Sequence, residues 1–208
     1  MTHPLNSNTP RLPGRPKRSE EALPMDQMIL RISSNLFMEN GYEAISLQQI
    51  AKACGVTKAS IYYHFENKAQ LFTASVTSMT GMARMHTKRI MGQEGPLLDR
   101  LRELAEVKLA RPHGDFETIM REARASLSPE QIQAIMASEE AITDVLTESF
   151  QQSMDRGEIR SGDPLFLAHT FSSLLMVGNR EISADYNLSP SHLAHKIMDL
   201  FWHGVAPT

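Results

Sequence analysis

Three helix starts and one glycine turn fall within residues 46–68, SLQQIAKACGVTKASIYYHFENK, and so tight a spacing leaves few ways to fold. Ser46 can accept from the amides of a first helical turn while Gln49, three residues on, reaches back to the Ser46 amide, the reciprocal pattern of a capping box. A helix therefore begins near Leu47. Leu47, Ile50, Ala51 and Cys54 follow the i, i+3, i+4, i+7 spacing of one buried face, which turns Gln48, Gln49 and Lys52 outward. Gly55 ends this helix because it tolerates positive φ. Thr57 caps the next, which is expected to bury Val56, Ile61 and Phe65 and to present Lys58, Ser60, Tyr62, Tyr63 and His64. Two short helices joined by such a turn form a helix-turn-helix, whose second helix enters the major groove of DNA.

The string Ser46…Ile50-Ala51…Cys54-Gly55-Val56-Thr57…Ile61-Tyr62-Tyr63-His64-Phe65…Lys68…Leu71 closely resembles the DNA-binding domain of the tetracycline-repressor (TetR) family. Ile29-Leu30, Leu36-Phe37 and Gly41-Tyr42 sit where that family has its first helix and the turn after it. The resemblance covers residues 25–72. It implies an all-α chain: an N-terminal three-helix helix-turn-helix domain, and a larger C-terminal helical domain for ligand binding and dimerisation. It also implies that Gln48 and Lys58 face bases, that Ser60 and Tyr62 lie along the recognition helix, and that Tyr63, His64 and Lys68 face phosphates. Ser46, Thr57 and Ala59 complete the expected contact set. The chemistry agrees, since Gln reads adenine, Lys reads guanine, and Tyr, His and Lys donate to phosphate oxygens. Cys54 stands where the family more usually has alanine, on a face expected to be core.

Charge divides the chain in the same place. Residues 1–70 hold eight Lys/Arg against six Asp/Glu, and the remainder 13 against 18, so a mildly basic head precedes an acidic body. Such a head attracts phosphate while the body does not cling to it. Residues 1–24 carry five of the eleven prolines and almost no apolar periodicity, which makes them a flexible arm. Within it Arg15, Lys17 and Arg18, around Gly14 and Pro16, form a cationic patch suited to a narrow minor groove, or else a solvated tail. The expected division is thus an arm over 1–24, a DNA-binding domain over 25–72 and a helical domain over 73–208.

Punctuation in the body predicts only helices. Asn67 with Gln70 opens a long helix to about Met91, Gly92 and Gly95 break it, and Pro96 takes the first position of the next. Pro112 and Gly114 stop that one, and Asp115 caps a short helix through about Leu127. Ser128-Pro129-Glu130-Gln131 starts another that reaches Met154, while Asp163-Pro164 and Ser189-Pro190 start the last two. Thirteen methionines, nine of them spread over these helices, suit either an adaptable apolar cavity or plain core filling. The expected effector pocket draws on Met82, His86, Met120, Met136 and Phe171, with His113 and His169 as further groups able to orient a ligand. The last two helices carry apolar residues at helical spacing, Leu167, Phe171, Leu174, Leu175 and Gly178, then Leu193, Ile197, Leu200 and Phe201. Pairing them with a second copy gives a four-helix dimer interface.

Several classes fall away. A single cysteine rules out an intrachain disulfide framework, no apolar run is long enough to span a bilayer, and no leader pattern opens the chain, so a cytoplasmic protein without membrane attachment is expected. His192 and His195 lie one turn apart without further ligands, so no metal is expected, nor any cofactor. Neither a catalytic triad nor a phosphate-cradling glycine loop occurs, which argues against an enzyme. What remains is a regulator, most simply a repressor, that binds a double-stranded palindromic operator as a homodimer and leaves it when an apolar or amphipathic small molecule binds. The alternative is a constitutive DNA-binding protein without an effector.

Overall fold

The computed structural model describes residues 23–110, 116–176 and 188–207, and every α-helix among them begins close to a start legible in the sequence. The helices are α1 (Met25–Asn40), α2 (Leu47–Ala53), α3 (Lys58–His64), α4 (Lys68–Met91), α5 (Leu97–Leu109), α6 (Phe116–Ala123), α7 (Pro129–Asp155), α8 (Pro164–Leu175) and α9 (Pro190–Val205). No strand occurs among the described residues. The arm residues Arg15, Lys17 and Arg18, and also His113, Asp115 and Gly178, lie outside the described residues.

Caps set the boundaries. Gln49 Oε1 accepts from the Ser46 amide at 2.8 Å while the Gln49 amide donates to Ser46 Oγ at 3.3 Å, the reciprocal pair that starts α2. The Ser60 amide donates to Thr57 Oγ1 at 3.1 Å and the Gln70 amide to Asn67 Oδ1 at 2.8 Å, starting α3 and α4. Ser128, Asp163 and Ser189 do the same for α7, α8 and α9. Two boundaries differ from expectation. Pro96 is the cap of α5 rather than its first residue, since its backbone is extended at ψ 139°. The short helix α6 closes at Ala123, and residues Arg124–Ser126 tighten into a 3₁₀ turn rather than continuing to Leu127.

Two apolar clusters organise the molecule. The first joins α1, α2 and α3 to the start of α4, with Ile29, Ile50, Ile61 and Leu71 fully buried around a stack of Phe37, Tyr42 and Phe72. Those rings sit 5.0 to 5.9 Å apart, mostly edge to face, the arrangement their quadrupoles favour. This cluster runs past residue 72 and takes in Val76, Ile119, Ala123, Leu127 and Ile135, so α6 and the start of α7 share the core of the head. A carboxylate reinforces the joint: Glu122 of α6 accepts from the amides of Tyr42 at 2.9 Å and Glu43 at 3.3 Å, in the turn after α1. Gly41, at φ 87°, makes room, because a Cβ there would lie 2.8 Å from Glu122 Oε2.

The second cluster gathers α5, α8, α9 and the far ends of α4 and α7 around Phe150, Phe171 and Phe201, whose rings lie 5.5 to 6.3 Å apart. Arg100 is buried beside it. Its guanidinium donates to the Met91 carbonyl at 2.7 Å and to Glu158 at 3.1 Å, tying the end of α4 to α5 and to the turn after α7. A buried charge is tolerated only with such partners.

Candidate nucleic-acid interface

Helices α2 and α3 expose a largely polar surface because their large aliphatic positions are spent on the first cluster. Leu47, Ile50, Ala51 and Cys54 of the α2 segment and Ile61 and Phe65 of the α3 segment are buried, while Ser46, Gln48, Thr57, Lys58, Ala59, Tyr62, Tyr63 and His64 are exposed. Tyr63 is the extreme, 85% exposed, with its ring edge to face on His64 at 5.0 Å. A tyrosine serving only the core would not stand so far out. Lys58 lies 5.6 Å from the centre of the Tyr62 ring, which holds the ammonium along the helix face. Ser60 is half-buried, its hydroxyl 2.8 Å from that of Thr57, so it serves the cap as well as the surface. Gly55, at φ 65° with open space around its α-carbon, is needed in the turn between α2 and α3 for its backbone and not for clearance.

Lys68 behaves differently from the other cations of the head. Its Nζ lies 4.2 Å from the centre of the Tyr42 ring and 3.5 Å from the Glu43 carbonyl. Partial burial holds this ammonium below its ordinary range, against the opposing pull of Glu43 and Glu122. Its side chain is thus already engaged within the protein, and it stands in the first turn of α4, a helix N-terminus, where anions are favoured. Met25, at the start of α1, joins Thr57, Ala59, Ser60, Tyr63 and His64 in lining an open recess beside α3. No sequence signal singled out Met25; only the tertiary packing of the head brings it there. Cys54 is buried, and burial pushes its thiol up, away from the reactive thiolate.

In the body, the residues expected to line an effector pocket are not brought together. Met82, His86 and Met136 are exposed, Met120 packs against the first cluster, and Phe171 is fully buried in the aromatic group of the second. The expectation rested on residue type, and the helical register turns these side chains to different sides. The dimer expectation is corrected in part. Phe171, Leu175, Leu193, Ile197 and Phe201 face inward into their own chain, with Leu167 and Leu174 half-buried against the same core. Among the described residues of that set only Leu200 is open, at 68% exposure, and it is joined by Phe166 at 64% and Leu165 at 48%, which sequence reasoning passed over. Among the described residues no group of His, Cys, Asp and Glu is placed to hold a metal ion, and no helix is long and apolar enough to cross a membrane.

Comparison with known proteins bears on the head first. Residues 29–74 match the family model of the bacterial regulatory proteins of the tetR family. Over 57 residues the chain is 44% identical to the HTH-type transcriptional regulator AcrR of Shigella flexneri, a stretch covering 27% of this chain and 26% of that protein. It is 32% identical over 120 residues to the transcriptional regulator AcuR of Cereibacter sphaeroides, covering 53% of this chain and 54% of that one. The chain therefore spans about half, or less, of the length of these curated relatives. Solved structures extend the likeness to the body. Reduced NemR of E. coli has the same fold with a TM-score of 0.74 at 16% identity, over 88% of this chain and 98% of that one. AibR, solved with isovaleryl coenzyme A and operator DNA, is similar with a TM-score of 0.62 at 26% identity, over 85% and 97%. Residues 29–74 thus carry the N-terminal domain of the bacterial regulatory proteins of the tetR family, and the helical body behind it has the fold of solved structures similar along most of their length.

Proposed function

We propose that this chain is a DNA-binding transcriptional repressor and not an enzyme, that residues 25–72 read the operator, and that residues 73–208 dimerise and take a small-molecule effector. The observation that carries the reading is the exposed row Lys58, Tyr62, Tyr63 and His64 on a helix capped at its start and seated by Ile61. Those groups offer one cation and several donors to a major groove and its flanking phosphates, with Gln48 beside them for a second base contact. The complex of the similar AibR with an acyl coenzyme A and operator DNA supports a fold able to hold both kinds of ligand. A role on operator DNA implies a cytoplasmic location. Two heads related by a two-fold axis fit inverted half-sites about 34 to 36 Å apart.

Dimerisation is assigned to the outer sides of α8 and α9, where Leu165, Phe166 and Leu200 stand open. Large apolar side chains left in water on adjacent helices favour a partner surface. Footprinting on genomic fragments tests the DNA reading: a protected palindrome supports it, and uniform protection without sequence preference overturns it. Phe166→Glu with Leu200→Glu tests the dimer, because the pair gives folded monomers in sedimentation if these helices form the contact and folded dimers if they do not.

A further inference from the structure

Helices α4, α5 and α7 each have an inward stripe, and each stripe is broken by a residue that solvent reaches. On α4 the stripe Val76, Thr80, Thr87 and Ile90 is buried, yet Ala83, which continues it at three residues past Thr80 and four before Thr87, is exposed. On α5 Leu101, Leu104 and Ala105 are buried, and Lys108, at seven, four and three residues beyond them, is exposed. On α7 Ile135, Leu146 and Phe150 are buried, and Glu139, four past Ile135 and seven before Leu146, is exposed. The breaks on α4 and α7 fall at one level. Val76 and Ile135 belong to the first apolar cluster and Ile90 and Leu146 to the second, so the exposed positions mark a solvent-reached gap between the clusters.

The packing explains why a gap exists. Helices α5 and α7 both lie against α4 and α8 but scarcely against each other, so they form opposite walls. One wall carries Lys108 and the other Glu139. Although solvent reaches both, the surrounding protein holds the Lys108 ammonium below its ordinary range and pushes the Glu139 carboxyl above its own, each effect opposed by the charge of the other. Among the described residues no ion pair joins them. A pair kept for stability would close, because two desolvated charges held apart cost more than their attraction returns, and apolar residues would serve the core better. Unpaired opposite charges at inward positions of two facing helices, in a gap that solvent reaches, are instead the arrangement of a site that waits for a ligand.

We propose that this gap seats the effector and that the effector is a small zwitterion, its anionic group on Lys108, its cationic group on Glu139, and its apolar part against Ala83, Val107 and Ile142. Val107 is 42% exposed and Ile142 half-buried, which leaves apolar surface on both walls for that part. The proposal rests on the reading of the chain as an effector-responsive regulator.

The test uses the full chain and the series of ω-amino acids from 4-aminobutanoate to 8-aminooctanoate, with hexanoate and hexylammonium as single-charge controls. Calorimetric titration should find one or more members of the series binding at least tenfold more tightly than both controls, the best length reporting the span of the gap. Lys108→Met and Glu139→Gln should each lose about tenfold or more of that affinity, Lys108→Arg should keep most of it, and none should melt below the parent. If no member of the series outbinds the controls, or if both charge-removing variants bind the zwitterion as the parent does, the proposal is overturned. Melting several degrees lower in both variants overturns it as well, since that marks a structural pair. Footprinting of the same samples separates the two readings: an operator bound by a protein blind to the series sinks the site and leaves the regulator, whereas zwitterion binding without any operator sinks the regulator and leaves the site.

Discussion

The head and the body are built from the same material, short apolar stripes on capped helices, yet they spend it differently. In the head the inward positions are filled by apolar side chains and the small hydroxyls of Ser33, Ser34 and Ser75, and Phe37, Tyr42 and Phe72 pack α1 and the turn after it onto α4. In the body the inward stripes of three helices are interrupted, and a lysine and a glutamate occupy two of the interruptions. A reading head must hold its donors to a fraction of an ångström, which close packing provides. A sensing body must have somewhere for a ligand to go, and it gives up packing there.

The largest effect that sharpens this contrast is the loss of a core ring. Phe37→Ala in the head and Phe171→Ala in the body should each lower stability by about 3–5 kcal/mol, measured by urea unfolding. Phe171→Ala also tests the corrected dimer surface, because an inward ring costs folding whereas an interface ring costs association. Next comes the operator. Lys58→Ala should lose about 1–3 kcal/mol of discrimination at a single base position in competition binding, and a uniform loss across sequences would recast Lys58 as a phosphate contact. Smaller again are the caps: Ser46→Ala or Thr57→Ala should cost about 1 kcal/mol by the same unfolding measurement, and a negligible change would mean that packing alone sets the entry of α2 or α3.

The smallest effect is the pH dependence of the body. A lysine depressed by folding costs stability while it is charged, and that cost disappears as pH rises through its folded value toward the ordinary 10.5. A glutamate raised by folding costs stability while ionised, and the cost disappears as pH falls through its folded value toward 4.5. Lys108→Met should therefore melt at or above the parent near neutrality, with the difference closing as the medium becomes alkaline. For Glu139→Gln the difference should close toward acid. Because solvent reaches both groups, the shifts are small, and differential scanning across pH 5 to 10 measures them against the parent.

Helix starts were legible because capping is local chemistry: Ser46 with Gln49 and Ser128 with Gln131 need nothing beyond their own first turn. The outward set of α3 was legible for a related reason, since a seven-residue helix anchored by Ile61 has one way to face. The apolar faces of α8 and α9 were harder. Phe171 and Phe166 are both large and apolar and lie five residues apart, so periodicity does not say which turns into its own chain; the meeting with Phe150 and Phe201 decides it. Methionine content misled for a similar reason, as Met82 and Met136 lie beside the inward stripes rather than on them. The informative signal was a charge at an apolar position, Lys108 after Leu104 and Glu139 after Ile135, and it gains meaning only once the register of both helices is known.

The carboxylate of Glu122 binds backbone, not side chains, and that choice governs how movement passes from α6 to α1. With oxygen-to-nitrogen separations of 2.9 and 3.3 Å, a slip of more than about 0.5 Å between the two elements stretches at least one bond beyond useful length. Small displacements of α6 are therefore transmitted without slack, while large ones uncouple it and leave two amides seeking water. The joint is a clutch with a fixed travel. Because the amides of Tyr42 and Glu43 survive any replacement of their own side chains by a residue other than proline, the setting of this clutch lies with Glu122 and with the room left by Gly41.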